Sequence, residues 1–326
     1  MAISVHREEL TPLAAAWAAL LDRAPEPVPF LHPTWQRVWL EEFAGDRELL
    51  LYAVRDGEEL IGVAPLMRGD GGLMFSGDHK ICDYMDVVVA PDRAADVLDA
   101  LLPALAGEAW DELSLWGLRE DSPVRVALPA AVDRAGLAVT QEEEAIAPHI
   151  GLAGTWDDHV ASLSKKDRHE LRRKLRKLEA AGDLELRSYT SPEETESRVP
   201  LLLRMMVESR TDKAAFMSEQ MARFFHRMVP ELAREGLVRL YELELEGRPI
   251  ASVLCFDQGG QLYLYNSGYE PEYAAMSAGL VSKALCLREA IECGRHCVDT
   301  LRGAEPYKYD LGAKDRAVYT CTVRRS

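Results

Sequence analysis

The 326-residue sequence has no uninterrupted run approaching the roughly 18 apolar residues that a membrane-spanning helix needs, so membrane insertion is not expected. Its opening stretch, MAISVHREELTPLAAAWAALLDR, lacks a basic segment followed by an apolar block. No signal peptide is read there, and a cytoplasmic location is expected. Cysteines are few, and the six at 82, 255, 286, 293, 297 and 321 form no evenly spaced framework. A chain of this length needs no disulfide staples. Cys293-Gly-Arg-His-Cys297 contains zinc-ligating residue types, but the spacing is wrong for a zinc knuckle and no second ligand pair follows. Reduced core thiols and no metal are expected. Also missing are Gly-x-Ser-x-Gly, Gly-x4-Gly-Lys-Ser/Thr and Gly-x-Gly-x-x-Gly, which leaves nucleophile-elbow, P-loop and dinucleotide-binding chemistry without support. Positive charge is in deficit, 38 Lys and Arg against 54 Asp and Glu, a net −16 that disfavours generic binding to nucleic acid or anionic membrane.

What is present reads as two copies of one unit. With 48% hydrophobic residues the chain has enough apolar side chains for two cores, the natural division at this length. In the first half, 48–67 is a hairpin turning at Asp56-Gly57, 85–91 a buried strand, 92–105 an amphipathic helix and 111–117 a further strand. The second half repeats the order: hairpin 238–257 turning at Glu246-Gly247, strand 261–271, helix 277–294 stopped by Gly294, strand 297–303. Gly57, Leu60 and Val63 fall in step with Gly247, Ile250 and Val253, and Leu115-Trp116-Gly117 with Leu301-Arg302-Gly303. The expected fold is α/β (α+β-like), in two tandem domains, 1–152 and 153–326, with mixed, mostly antiparallel sheets and flanking helices.

Between the halves lies SLSKKDRHELRRKLRKLEAAG (162–182), with Ser164 as an N-cap. Leu171, Leu175 and Leu178 form its apolar stripe, and eight Lys and Arg crowd 165–177. The run reads either as a solvated surface face or as a site for an anionic partner such as a nucleotide, a phosphate or a tRNA backbone. Arg168, Arg172 and Arg173 are its leading candidates for substrate contact.

KKDRHELRRKLRKLE, the turn NSGYEPEYAAMSAG and the ending DTLRGAEPYKYDLGA together resemble the double-GNAT acyltransferases of the Fem-like and CelD-like group. That resemblance implies two GNAT-like domains packed around a cleft. It also implies acyl, chiefly acetyl, transfer to an amine of a small molecule or sugar-nucleotide from acetyl-CoA or another acyl-CoA. In the Fem-type branch the donor is aminoacyl-tRNA; a catalytically silent binding module in a polysaccharide pathway is a third reading. The glycine-rich turn that holds the CoA pyrophosphate in simple GNAT enzymes is reduced here to Ser277-Ala-Gly279, and Ser277, Gly279 and Asn266 are the cofactor-binding candidates. The first half has no such glycine, so its copy is expected to lack a donor site. Lys308, between Tyr307 and Tyr309, is the expected catalytic side chain, steadying an oxyanion or an acceptor phosphate, with Asp299 as base or anchor. Tyr269, Tyr307 and Arg302 are expected to touch substrate. In GDHKICDYMD (77–86), Asp83 and Tyr84 are candidates for the acceptor pocket, and His79 reads as an ordinary loop residue.

Overall fold

The computed structural model describes residues 3–69 and 71–325, which separate into two compact units. Unit 1 comprises 1–146 and 316–326, and unit 2 comprises 147–315.

Unit 1 contains β1 (Ile3–Arg7), α1 (Leu10–Asp22), α2 (Pro33–Trp39), β2 (Leu49–Asp56), β3 (Glu59–Gly69), β4 (Gly72–Phe75), β5 (Val88–Val89), α3 (Ala94–Ala104), β6 (Glu112–Arg119), α4 (Pro123–Arg134) and β7 (Leu137–Ile146). Leu13, Trp17, Leu20 and Leu21 are the buried face of α1, as their spacing predicts. The Asp56-Gly57 hairpin forms, with Gly57 left-handed at φ 63°. The expected strand 85–91 shrinks to the two residues of β5, which pair with Gly62 and Val63 of β3.

Unit 2 contains β8 (His149–Gly151), α5 (Trp156–Ser162), α6 (Lys165–Glu179), β9 (Leu184–Tyr189), α7 (Pro192–Ser209), α8 (Thr211–Phe216), α9 (Glu219–Arg234), β10 (Val238–Leu245), β11 (Arg248–Gln258), β12 (Gln261–Tyr269), α10 (Ala278–Glu292), β13 (Cys297–Asp299) and α11 (Pro306–Asp310). Its sheet runs β8-β13-β12-β11-β10-β9. The β10–β11 turn has both central residues left-handed, Glu246 at 52° and Gly247 at 71°, the geometry that matches the natural strand twist. A Cβ on Gly268 of β12 would lie 2.3 Å from the backbone of Met205 and Met206, so this glycine lets α7 lie directly on the sheet.

The last strand, β14 (Ala317–Arg325), does not stay with the unit that precedes it. It pairs antiparallel with β6 and with β7, giving unit 1 the order β1-β2-β3-β4-β6-β14-β7. The expected span 153–326 is corrected accordingly. Val318, Cys321 and Val323 mark a strand with one buried face, but that pattern is silent about which sheet supplies the partners.

Both sheets are mixed, and each contains one parallel pair, β4–β6 in unit 1 and β12–β13 in unit 2. Parallel neighbours cannot be joined by a tight turn, so a crossover helix is required. α3 and α10 serve that need. Each parallel pair is short: β4–β6 ends at Met74–Ser114, and β12–β13 ends at Tyr263–Asp299. Beyond those residues the pairing ends.

Candidate active site

The parting of β12 and β13 positions the site in unit 2. Register along β11 jumps from Leu254–Asn266 to Cys255–Leu264, which places Tyr265 in a bulge where the wedge opens. Tyr265 is held by Phe256, ring centroids 4.9 Å apart, and by Phe225 at 6.0 Å. On the far side, Asp299 ends β13 and Leu301 turns left-handed at φ 61°.

Lys308 sits under that turn. It is 1% exposed, and its ammonium donates to the carbonyls of Leu301 (2.9 Å), Arg302 (2.8 Å) and Gly303 (2.7 Å) while pairing with Glu305 at 2.9 Å. An ammonium has three protons, and three carbonyls take them. The expected catalytic contact is therefore corrected to a positioning role: Lys308 fastens the 301–305 loop that walls the wedge. Burial opposes ionisation of Glu305, but the Lys308 ammonium outweighs it and holds that carboxyl below its usual range. Asp299, fully buried, accepts from the Leu301 N–H at 2.8 Å and shapes the same turn. Arg302 is half-buried on this loop.

A second lysine, Lys283, which carries no mark in the sequence, lies close to Tyr307. It lies one turn into α10, donates to the Gly279 carbonyl at 2.9 Å and stands 4.9 Å from the Tyr307 ring centre. Burial pushes its ammonium down to about 8, with the Arg210 cation acting the same way against the opposing influence of Cys286, Cys255 and Glu305. Tyr307 is thus placed against Lys283. Asn266, on the open edge of β12, has its side-chain oxygen 3.3 Å from Lys213 Nζ, and Lys213 also donates to the Ser267 carbonyl. A single helical-face lysine carries no signature in sequence, and Lys213 and Lys283 are 70 residues apart by number, so only the fold brings their regions together.

The start of α10 lies beside this wedge. Ser277 caps it in the left-handed region, φ 60° and ψ 35°, with no side-chain capping bond. The Leu280 and Val281 N–H groups return to the Ser277 carbonyl, leaving the amides of Ala278 and Gly279 at the open end of the helix. Gly279 has a packing reason of its own, since a Cβ there would press to 2.8 Å on Tyr269. Tyr269 is accordingly placed as a cover on this helix end.

α6 forms as its pattern predicts, with the Ser164 hydroxyl accepting from the Asp167 N–H, and with Leu171 and Leu178 buried. It leans on the α10 entrance, where Lys177 donates to the Ala275 carbonyl at 2.8 Å. Lys166 and Lys174 line a small pocket of about 270 Å³ with Leu280 and Asp310. α6 and α5 also border an open groove of about 1120 Å³ lined by Trp156, Lys165, Arg168, His169, Arg172 and Arg176, with Asp157, Glu170 and Glu179 among them. Of the three arginines singled out by sequence, Arg168 is turned to the Ala161 carbonyl at 2.9 Å and Arg173 is paired with Glu170 at 2.8 Å. Arg172 is exposed on the groove.

Asp83 and Tyr84 fall in unit 1. Tyr84 is 1% exposed, with the guanidinium groups of Arg119 and Arg316 5.7 and 5.9 Å from its ring centre, so it is a core residue that borders only a very small pocket with Asp86, Arg119 and Ser122. Asp83 is half-buried beside it. All six cysteines are free thiols; Cys293 is exposed and the other five are buried. Among the described residues, no helix is long and apolar enough to cross a membrane.

A mixed sheet with a bulged strand, a parallel neighbour whose pairing ends early, and a helix end beside it is the geometry of a GNAT-type fold. Residues 165–309 match the family described as acetyltransferase (GNAT) domain. The chain is similar in fold to the crystal structure of FemX, with a TM-score of 0.71 at 10% identity over 98% of this chain and 96% of that one. It is also similar to a conserved protein of unknown function from Bacteroides thetaiotaomicron, TM-score 0.61 at 12% identity, covering 99% and 100%. A tandem GNAT protein from the clavulanic acid biosynthesis pathway gives a TM-score of 0.50 at 16% identity, covering 98% of both chains. No curated protein sequence matches the chain significantly.

Proposed function

We propose that this protein transfers an acyl group from acyl-CoA to an amine at the β12–β13 wedge, with Lys283 as the base. The observation that carries this reading is the neutral-range lysine beside a split strand pair and a helix end flanked by Lys166, Lys174 and Lys177. The donor's pyrophosphate takes the amides of Ala278 and Gly279 and those lysines, since a helix N-terminus favours an anion. The acceptor nitrogen attacks the thioester carbonyl and gives its proton to Lys283. The carbon–sulfur bond then breaks, and the departing thiolate takes a proton. With its ammonium lowered to about 8, roughly a tenth of Lys283 is in the proton-accepting form at pH 7. The amides of the β12 bulge and its open edge are the available oxyanion donors. Lys308, by clamping the loop opposite, keeps the wedge from closing.

A second reading, transfer from aminoacyl-tRNA, is favoured by the α5–α6 groove. Its cations extend along most of a 15-residue helix, farther than one pyrophosphate reaches, and Trp156 offers a stacking surface. The likeness to FemX supports the same reading. Thermal unfolding with acetyl-CoA, desulfo-CoA and a bulk tRNA separates the two. A rise in midpoint with acetyl-CoA that Lys174→Glu abolishes supports the first. Binding of tRNA alone, weakening steeply with salt, overturns it in favour of the second.

A further inference from the structure

We infer that unit 1 carries a binding site of its own, for a primary ammonium group, at His79 and Glu144. The site stands independently of the donor chemistry in unit 2. It is made by two bulges at one level of the sheet. Along β14, the β6 register jumps from Tyr319–Leu118 to Cys321–Leu115, so Trp116 and Gly117 together oppose Thr320. The β7 register jumps from Val318–Ala145 to Tyr319–Glu143, so Glu144 is the extra residue of the neighbouring strand. Bulges of this kind re-aim side chains and free backbone groups from the ladder. Here the freed Gly117 N–H donates to Glu144 at 3.3 Å, and the Thr320 hydroxyl donates to the same carboxylate oxygen.

Glu144, held in this way, places its other oxygen 3.5 Å from His79 Nδ1. The imidazole lies 4.2 Å from the Trp116 ring centre, tilted by 41°. Gly77 permits that approach, since a Cβ there would come within 3.3 Å of the Trp116 ring and 3.2 Å of Cys82 Sγ. The contact sets a carboxylate charge beside one edge of the imidazole. The histidine side chain is 53% exposed and the glutamate only 15%, so the pair is open on the imidazole side.

The sign of the ligand follows from the surroundings. Segment 77–86 has Asp78 and Asp83 against Lys80, its third carboxyl, Asp86, being pushed up to about 7 by burial, and β7 adds Glu142 and Glu143. Such a field repels a phosphate or carboxylate and attracts a cation. A primary ammonium supplies the charge that the Glu144 carboxylate and the acidic surroundings favour.

Nitrogen-15 NMR of the full chain titrated with ethanolamine, and with acetate at matched ionic strength, tests the assignment. Ethanolamine should shift the His79 imidazole saturably in the millimolar range, and Glu144→Gln should weaken that binding at least tenfold. Acetate should leave the resonance unmoved. No saturable shift, an equal response in E144Q, or an equal response to acetate overturns the assignment. If E144Q misfolds, His79→Ala at the exposed end serves instead: the ethanolamine-dependent shift of the Gly117 amide should disappear, and its persistence counts against the site. Because the titration needs no acyl donor, its failure and failure of the unit 2 reading are read separately.

Discussion

The two units have the same construction and opposite electrostatics. Each sheet has one short parallel pair joined by a crossover helix, and each pair parts after three residue partners. In unit 2 the parting is surrounded by cations, namely Lys213, Lys283 and Lys308, with the basic face of α6 at the helix end beside it. In unit 1 the corresponding region holds Asp86, pushed up to about 7 chiefly by burial, and the His79–Glu144 pair. One backbone plan thus carries different charged side chains at corresponding openings. Backbone geometry supplies the opening, and the residues around it choose the occupant.

The strongest way to break this comparison is at Lys308. Lys308→Met leaves three buried carbonyls and Glu305 without their partner, which should cost about 3–5 kcal/mol of stability, read from urea unfolding. Activity should fall with it. Full stability with lost activity would return Lys308 to a direct chemical role. Next in size is Lys283→Met. Turnover should drop about 10²–10³-fold with stability unchanged or raised, since an expensive buried charge is removed. In the native protein the rate should climb as pH rises through about 8, where Lys283 loses its proton, and that limb should vanish in the variant.

On the acidic side, Asp86→Asn tests the cost of a buried carboxylate. A folded-state value of about 7 lies above the unfolded one, so the folded chain binds the extra proton between about pH 4 and 7. The stability that the protonated form contributes is lost as pH rises through 7. A carboxamide at this position cannot ionise, so the substitution should raise stability by about 1–3 kcal/mol at pH 8 and make little difference at pH 4, measured by thermal unfolding at both values. The smallest effect is expected at Arg172→Ala. This exposed groove residue should change donor affinity only a few-fold, with a shallower salt dependence if the donor is a polynucleotide.

Much of the architecture was legible before any coordinates. The two hairpin turns, the α6 cap at Ser164 and the helix-stopping Gly294 all depend on residues within a few positions of one another. The site was less legible. Asn266, Ser277 and Gly279 fall at the passage from β12 to α10, where the sequence pattern predicts a strand-to-helix turn. Lys308 was found but given the wrong task, because its partners are backbone carbonyls, which every residue has and no sequence marks. Lys283 was missed because its depressed ammonium comes first from burial, to which Tyr307 and the strands beneath contribute. Tyr84 was given an open pocket when its ring is enclosed by Arg119 and by Arg316, residues distant in the chain.

Order along the chain alone determined the repeated unit, its crossover helices and the concentration of cations on α6, because period, turn chemistry and capping act over a few residues. Tertiary structure alone decided that β14 joins unit 1, that Lys308 clamps a loop, and that two bulges bring Glu144 to His79. Strand partners and register are chosen by contacts between residues far apart in the chain, and a bulge shows itself only once both strands are aligned.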